Sequence, residues 1–272
     1  MMHRGSLPKA LIIGLLLAAV GFGTASCGGG IGGALVDLME QVPDEATSFV
    51  YWDAEKMEGD SDLHQLLDKW KADNEARLAG FSIRSDGVDH FSEFSMDGTT
   101  ALVVSGEFEL NEIRQELENQ AYDDKDYKLV EVWESPDEQD WLAVTEDSLI
   151  GGAKETVKES IRVIKGEGSL YDDQDARDIM DRLPSGLLVH FQKYVGNATH
   201  TGLVASGDSF EKKDKDTLKI KLVYKFVEPE DATSAMEDIS EEVDEPYDRV
   251  HLKQDGRYVI VTAEVEIEDM IR

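Results

Sequence analysis

Leu38-Met39-Glu40-Gln41-Val42-Pro43, followed by the strand-like run Ser48-Phe49-Val50-Tyr51-Trp52, returns later in the chain as Ile179-Met180-Asp181-Arg182-Leu183-Pro184 followed by Leu187-Leu188-Val189-His190-Phe191. Self-similarity at long spacing is a sign of a repeated structural unit. In the first half, residues 100–108 read as a strand of alternating and buried apolar residues, and residues 110–120 place Leu110, Ile113 and Leu117 on one helical face. Residues 127–133 and 141–145 then read as two paired strands. The second half repeats strand, helix, strand, strand over residues 218–226, 229–243, 249–253 and 258–263, with Phe108 and Phe226 at equivalent ends of the leading strands.

Local signals agree with this order. Pro229 followed by Glu230 and Asp231 suits a first helical turn. Gln254-Asp255-Gly256-Arg257 suits a hairpin turn, as does Met96-Asp97-Gly98-Thr99 after a strand over 91–95. A helix is expected over residues 62–78, with Leu63, Leu66, Leu67 and Trp70 on one face. Residues 194–201 stand at that place in the second half, which is therefore abbreviated. Helices over 154–165 and 172–183 flank a seam at 166–171. The predicted fold class is α+β: two related ferredoxin-like units, 35–169 and 170–272, each an antiparallel sheet with helices on one face. Whether the two sheets join into one or pack side by side is left open by the sequence.

The chain begins in the manner of a secretory signal. Arg4 and Lys9 precede an apolar or Gly run over residues 10–22, and Gly23-Thr24-Ala25-Ser26 leads to Cys27, the single cysteine. About thirteen residues are too few to span a bilayer core, which takes about twenty. Residues 1–26 are therefore expected to be a lipoprotein signal peptide, with Cys27 the lipidation site and residues 27–34 a Gly-rich flexible tether. Thr24 stands where the usual lipobox has Leu.

Charge narrows the partners. Across 272 residues the formal net charge is -31, and loss of Arg4 and Lys9 with the signal makes it -33. Such a field repels nucleic acid and anionic headgroups, so no nucleic acid is expected and the membrane is reached only through the lipid. At 41% hydrophobic residues the rest of the chain has the composition of a folded protein.

Pro43, Ala46, Phe49 and Val50, then Asp53, the strand Ala-Leu-Val-Val-Ser-Gly-Glu-Phe ending at Phe108, and the hairpin from Leu142 to Gly151 and Gly152 together resemble a family of secreted or lipid-anchored bacterial envelope proteins known only as a domain of unknown function. The resemblance covers residues 35–191. It implies an envelope location and repeated α+β units, and brings no catalytic residues.

No motif with chemistry of its own emerges. His64, His90, His190, His200 and His251 make no close pair with one another or with a cysteine, as zinc would need. His190 and His251 read as solvent-facing or hydrogen-bonded strand residues, and Ser206-Gly207-Asp208-Ser209 reads as a polar loop. The acidic groups Asp123, Asp124 and Asp126, Asp172, Asp173 and Asp175, and Asp86 with Asp89 lack the full EF-hand spacing and read as solvated faces. Trp52, Trp70, Trp133 and Trp141 read as core. No catalytic, cofactor-binding or metal-binding residue is assigned and no cofactor is expected. The expected function is a non-enzymatic, lipid-anchored binding module on the extracytoplasmic face of the cell membrane, with an envelope protein or a small ligand as partner. Alternatives are a carboxylate- or metal-dependent extracytoplasmic enzyme and a structural spacer or assembly factor of the envelope.

The anchor is tested directly. Cys27→Ser should release the protein into the soluble extracytoplasmic fraction or leave the signal uncleaved. Identical mass and membrane partition for the two proteins would rule out the lipid.

Overall fold

The computed structural model describes residues 32–196, 198–243 and 247–271. The signal peptide, Cys27 and most of the tether lie outside the described residues. The first half runs α1 (Gly33–Met39), β1 (Ser48–Asp53), α2 (Ala54–Glu58), α3 (His64–Ala79), β2 (Val88–Met96), β3 (Thr99–Gly106), α4 (Leu110–Asn119), β4 (Asp123–Tyr127), β5 (Val130–Glu134), β6 (Asp140–Val144), β7 (Leu149–Ala153) and α5 (Lys154–Ile164). The second runs α6 (Gln174–Met180), β8 (Leu188–Lys193), β9 (Leu203–Lys212), β10 (Thr217–Phe226), α7 (Pro229–Val243), β11 (Asp248–Asp255), β12 (Tyr258–Glu266) and α8 (Ile267–Ile271).

All twelve strands form one antiparallel sheet in the order β11-β12-β10-β9-β8-β1-β2-β3-β7-β6-β5-β4. β1 and β8, the strands that follow the two Pro-ended segments, are its central pair, aligned Phe49 to Phe191, Val50 to His190 and Tyr51 to Val189. Outward from that pair the halves read β1-β2-β3-β7-β6 and β8-β9-β10-β12-β11. β6 and β7, rather than β5 and β6, thus hold the places of β11 and β12, and the hairpin of β4 and β5 is extra. The expected strand over 127–133 holds from Val130 onward as β5, but its start is that hairpin's turn at 128–129. Lys128 and Leu129 both take left-handed backbone angles, φ 49° and 65°, without the Gly or Asn that would announce them.

Two features of the expected ferredoxin-like units are corrected. A split β-α-β arrangement occurs only in the second half, where β10 and β11, joined through α7, flank β12, whereas β3 and β4, joined through α4, lie apart with β7, β6 and β5 between them. The other helical connection, through α2 and α3, returns the chain to β2, which pairs directly with β1. Helices also cover both faces of the sheet. Apolar side chains from α2, α3, α4, α7 and α8 pack with Trp52, Phe91, Leu102, Leu188 and Phe210 on one face. Those from α1, α5 and α6 pack with Phe49, Phe94, Val103, Val189 and Phe191 on the other. The reason lies in the strands themselves: β3 buries Ala101, Leu102, Val103 and Val104 in succession, and such a strand needs cover on both sides.

The seam expected at 166–171 is a turn tied to the first half, with the Leu170 amide donating to the Val42 carbonyl at 2.7 Å. α6 approaches the sheet over Gly207, where a Cβ would stand 2.5 Å from Ile179 Cγ2 and 2.7 Å from the His190 carbonyl oxygen. Ion pairs then fix helices to strands. Buried Lys225 of β10 donates to Asp175 and Asp178 of α6 at 2.6 and 2.7 Å. Buried Glu134 of β5 accepts from Lys125, from Lys154 Nζ at 2.6 Å and from Trp141 Nε1 at 2.9 Å.

These carboxylates titrate abnormally. Hydrogen bonds from Lys125, then Lys154 and Trp141, hold Glu134 at about 2, against an ordinary 4.5. Burial alone would raise Asp178, but hydrogen bonds from Lys225, Tyr258 and Gln174 outweigh it and also hold it at about 2, against 3.8. A carboxylate whose pKa falls on folding stabilises the protein fully above its unfolded pKa, and that stability drains away as pH drops toward the folded value. The melting temperature should therefore fall steeply between pH 4.5 and about 2. Glu134→Gln should lower it at neutral pH and flatten that acid limb, as thermal melts across pH will show.

Candidate functional site

The alternation of β8 that sends Val189 and Phe191 to one face sends Leu188 and His190 to the other. On β9 the same rule puts Ser206, Asp208 and Phe210 on the His190 side. A row thus crosses the middle of the sheet: Val50 opposite His190, His190 opposite Asp208, Asp208 opposite Leu222. Among the described residues, no helix of this face makes more than marginal contact with β1, β8 or β9. The row is therefore a trough between α2 and α3 on one side and α7 on the other, and Val50, Ser206, Asp208, Leu222 and Tyr224 in its floor stay half-buried.

Its lining is polar. His190 Nδ1 lies 3.0 Å from Asp208 Oδ1, with both side chains mostly shielded. One rung along, Tyr194 Oη and Ser206 Oγ share a hydrogen bond at 3.1 Å, and Ser206 is paired across the strands with Tyr224. From the connection between β8 and β9, buried His200 brings Nε2 within 3.5 Å of Glu242 Oε2 near the end of α7. That nitrogen has no hydrogen bond of normal geometry. The His200 ring also leans on Phe226, with centroids 6.5 Å apart. Tyr247, just beyond α7, is buried in the apolar layer of the same face.

The electrostatics of the trough are negative. Burial, with the Glu242 and Asp208 carboxylates nearby, pushes the Tyr224 phenol far above its ordinary 10.0. Burial raises Tyr194 in the same way, with Asp208 and Glu242 adding to it. Tyr247 is raised by burial and by Asp208. The imidazole of His190 is oriented and can accept or donate a proton. Of the nearby serines, Ser206 Oγ engages Tyr194, and Ser209 Oγ, on the opposite face, donates to the Pro184 carbonyl at 3.0 Å.

The sequence reading of this region was half right. His190 is a hydrogen-bonded strand residue, as expected. Ser206-Gly207-Asp208-Ser209 is the middle of β9 rather than a loop, so Asp208 was missed. The signal was there in Leu203, Ala205 and Gly207 against Val204, Ser206 and Asp208, an alternation masked by small and polar residues. Elsewhere the candidates serve structure. Asp53 caps α2 by accepting from the Lys56 amide at 3.1 Å. Asp173 caps α6, Asp86 pairs with Arg84, and Asp123, Asp124 and Asp126 are exposed on the edge strand β4. Trp52, Trp70, Trp133 and Trp141 are all buried. Among the described residues, no three His, Cys, Asp or Glu side chains gather as metal ligands, and no helix is long and apolar enough to cross a membrane.

No family model matches the chain. An uncharacterized protein of Methanocaldococcus jannaschii is 26% identical over 276 residues, covering 93% of this chain and 94% of its own. Among solved structures, crystal forms IV, I and III of TP0453 share the fold, with TM-scores of 0.54, 0.53 and 0.52 at 9–10% identity. Each match covers 86% of this chain and 94% or 95% of the other. That likeness is one of fold alone.

The phenols give a direct readout. A tyrosine whose pKa rises on folding adds stability that is present below its unfolded value and is lost as pH climbs through the folded one. In phenolate absorbance titrations, Tyr224 and Tyr247 should stay un-ionised in the native protein at about pH 11, where unfolded chain has titrated, and Tyr194 should ionise at higher pH than it does in the unfolded chain. Native and unfolded curves that coincide would show the trough to be open water.

Proposed function

We propose that this protein is a lipid-anchored binding module of the cell envelope that holds a small ligand in the trough over β8 and β9. One observation carries the reading. On one face of the sheet, β8 and β9 carry a half-shielded polar row lined by His190, Asp208, Ser206, Tyr194 and Tyr224, and among the described residues no helix of that face is seated on these two strands. Shielded polar groups cost free energy unless they are satisfied, so a cluster of them in a concavity is a candidate for binding. The location rests on the sequence: a secretory signal ending at Cys27 and a Gly-rich tether leading to the folded part. Two related units, 35–169 and 170–272, account for the matching strand orders on either side of the central pair. The trough belongs mainly to the second unit, whose shorter connection between β8 and β9 has no counterpart of α2 and α3 to cover them.

The oriented His190–Asp208 pair also favours a second reading, an extracytoplasmic enzyme that uses this imidazole as a base on a bound substrate. The two readings share a site and differ in turnover.

Purification from the envelope in mild detergent, followed by native mass spectrometry, tests the leading reading. Wild type should carry a stoichiometric small molecule that the Asp208→Asn variant loses while remaining folded. An empty trough and a stoichiometric protein partner would replace ligand binding with protein docking. A chemically altered product released by wild type alone would favour the enzyme.

A further inference from the structure

The geometry points to a contact between copies of this chain: the lysine-bearing face of β10 and β11 receives the acidic helix α7 of a second copy, so that molecules stack face to back. The two halves of the sheet show where the seat lies. In the first, α5 lies across β3, β7 and β6 and buries Val157 and Ile161 on Trp141, Ala143 and Ile150. The matching strands of the second half are β10, β12 and β11. Among the described residues no helix is seated on β11 or β12 from that side, because α7 and α8 both pack on the opposite one. The open seat is basic. Strand alternation puts Lys219 and Lys221 of β10 on this face with Val223, and Lys221 faces Thr262 of β12 and then His251 of β11. Lys253 stands opposite half-buried Ile260. Other lysines are held by carboxylates, as Lys193, Lys212 and Lys225 are, whereas Lys219, Lys221 and Lys253 have no ion-pair partner among the described residues. Nearby acids do not supply one. Glu264 is taken by Lys213 and Arg249, Glu211 stands across from Lys219 without pairing to it, and Asp248 and Asp255 lie at the two ends of β11. Burial holds Lys221 below its ordinary value, with Lys219, Arg182 and Lys253 adding to it against Glu211.

The same three strands carry the complement on their back. There α7 packs on β10, β11 and β12 through Ala232, Ala235, Ile239 and Val243. Its outer stripe is Glu230, Glu237 and Glu241, all exposed and without an ion-pair partner among the described residues. At 1.5 Å per residue that stripe is about 16 Å long. The lysines span the same length, since Lys219 and Lys253 are four residues apart along the strands and two strands apart across them, about 16 Å on the diagonal. A helix laid over Ile260 and Thr262 covers the half-buried floor while its glutamates meet the lysines. The fit is heterologous, one surface meeting a different one, so each stack keeps both surfaces free at its ends. Translation along this axis keeps Gly32, beside Ser185 just before β8, at the same end of every copy, as chains tethered to one surface require. Net charge opposes approach at a distance, because each copy carries -31. At about 0.1 M salt, screening over about 10 Å suppresses that repulsion and spares charges in contact.

Carbodiimide coupling of the full-chain protein in mild detergent at about 0.1 M salt, followed by peptide mass spectrometry, tests the contact. The reagent joins amines to carboxylates that touch. Within one chain the sheet separates the two surfaces, so a link from Lys219, Lys221 or Lys253 to Glu230, Glu237 or Glu241 reports contact between copies. Such links should form, and sedimentation should show association that weakens at least about tenfold near 1 M salt, where charges reach only about 3 Å. Lys219→Gln with Lys253→Gln, and separately Glu237→Gln with Glu241→Gln, change exposed side chains alone and should each give a monomer that melts like wild type. Mixed, the two variants should form one-to-one pairs and nothing longer, because each keeps the surface that the other has lost. A monomeric wild type, association undiminished in either variant, a mixture that fails to pair, or links from these lysines only to other acids would each overturn the assignment. Monomeric wild type that binds vesicles of phosphatidylglycerol, with binding lost in the lysine variant, would overturn it in favour of anionic headgroups.

Discussion

The pairing of β1 with β8 holds this molecule together. Ser48 through Trp52 align antiparallel with Gln192 through Leu188, and this ladder joins the strands of the first half to those of the second. Its side chains serve both faces at once. Phe49, Tyr51, Val189 and Phe191 point into the layer beneath α1, α5 and α6, while Trp52 and Leu188 point into the opposite layer. Each such buried side chain contributes roughly 1.5–3 kcal/mol, so the junction is part of the core and no hinge. Neither half has an edge free at this point, and the two units share one sheet.

Charge is handled within that frame by pairing at the helix–sheet contacts. Lys225 with Asp175 and Asp178, Lys212 with Asp60 and Asp62, and Lys193 with Asp173 each tie a strand to a helix or its connection. A buried pair of this kind adds little net stability over an apolar contact, yet removing one partner leaves a costly bare charge. Such pairs therefore fix how helices seat on the sheet. The surplus acids go to the surface, including the sheet edge: β4 presents Asp123, Asp124 and Asp126 to solvent, and like charges there oppose edge-to-edge association. The trough is the exception, where carboxylates are half-buried with imidazoles as their partners and no lysine or arginine.

That exception follows from the asymmetry of the halves. In the first, α2 and α3 fill the connection between β1 and β2 and bury Met57, Leu66, Leu67 and Trp70 against the sheet. In the second, the described residues between Lys193 and Leu203 form only bends and turns. On this face the strands they join are apolar at Leu188 and Phe210, which are packed in the core, and polar at the neighbouring rungs. His190, Asp208 and Ser206 stand where Leu or Val would otherwise be.

The sequence by itself determined the elements whose period is strong. α7 was legible from Pro229 to Val243, and α4, α5, β8, β10 and β12 emerged close to their observed bounds, because apolar spacing and turn residues are local properties of the chain. The recurrence ending in Pro43 and Pro184 marked the two strands that turned out to be central. Tertiary structure alone decided which strands become neighbours, that helices cover both faces, and that β9 crosses the middle of the sheet despite a polar middle. Strand order and face are set by contacts between residues far apart in sequence, as between Val50 and His190 or His190 and Asp208, and no local pattern carries them. The candidate site was hidden for the same reason: its members come from β8, β9, β10, α7 and two connections, and only the closed sheet brings them together.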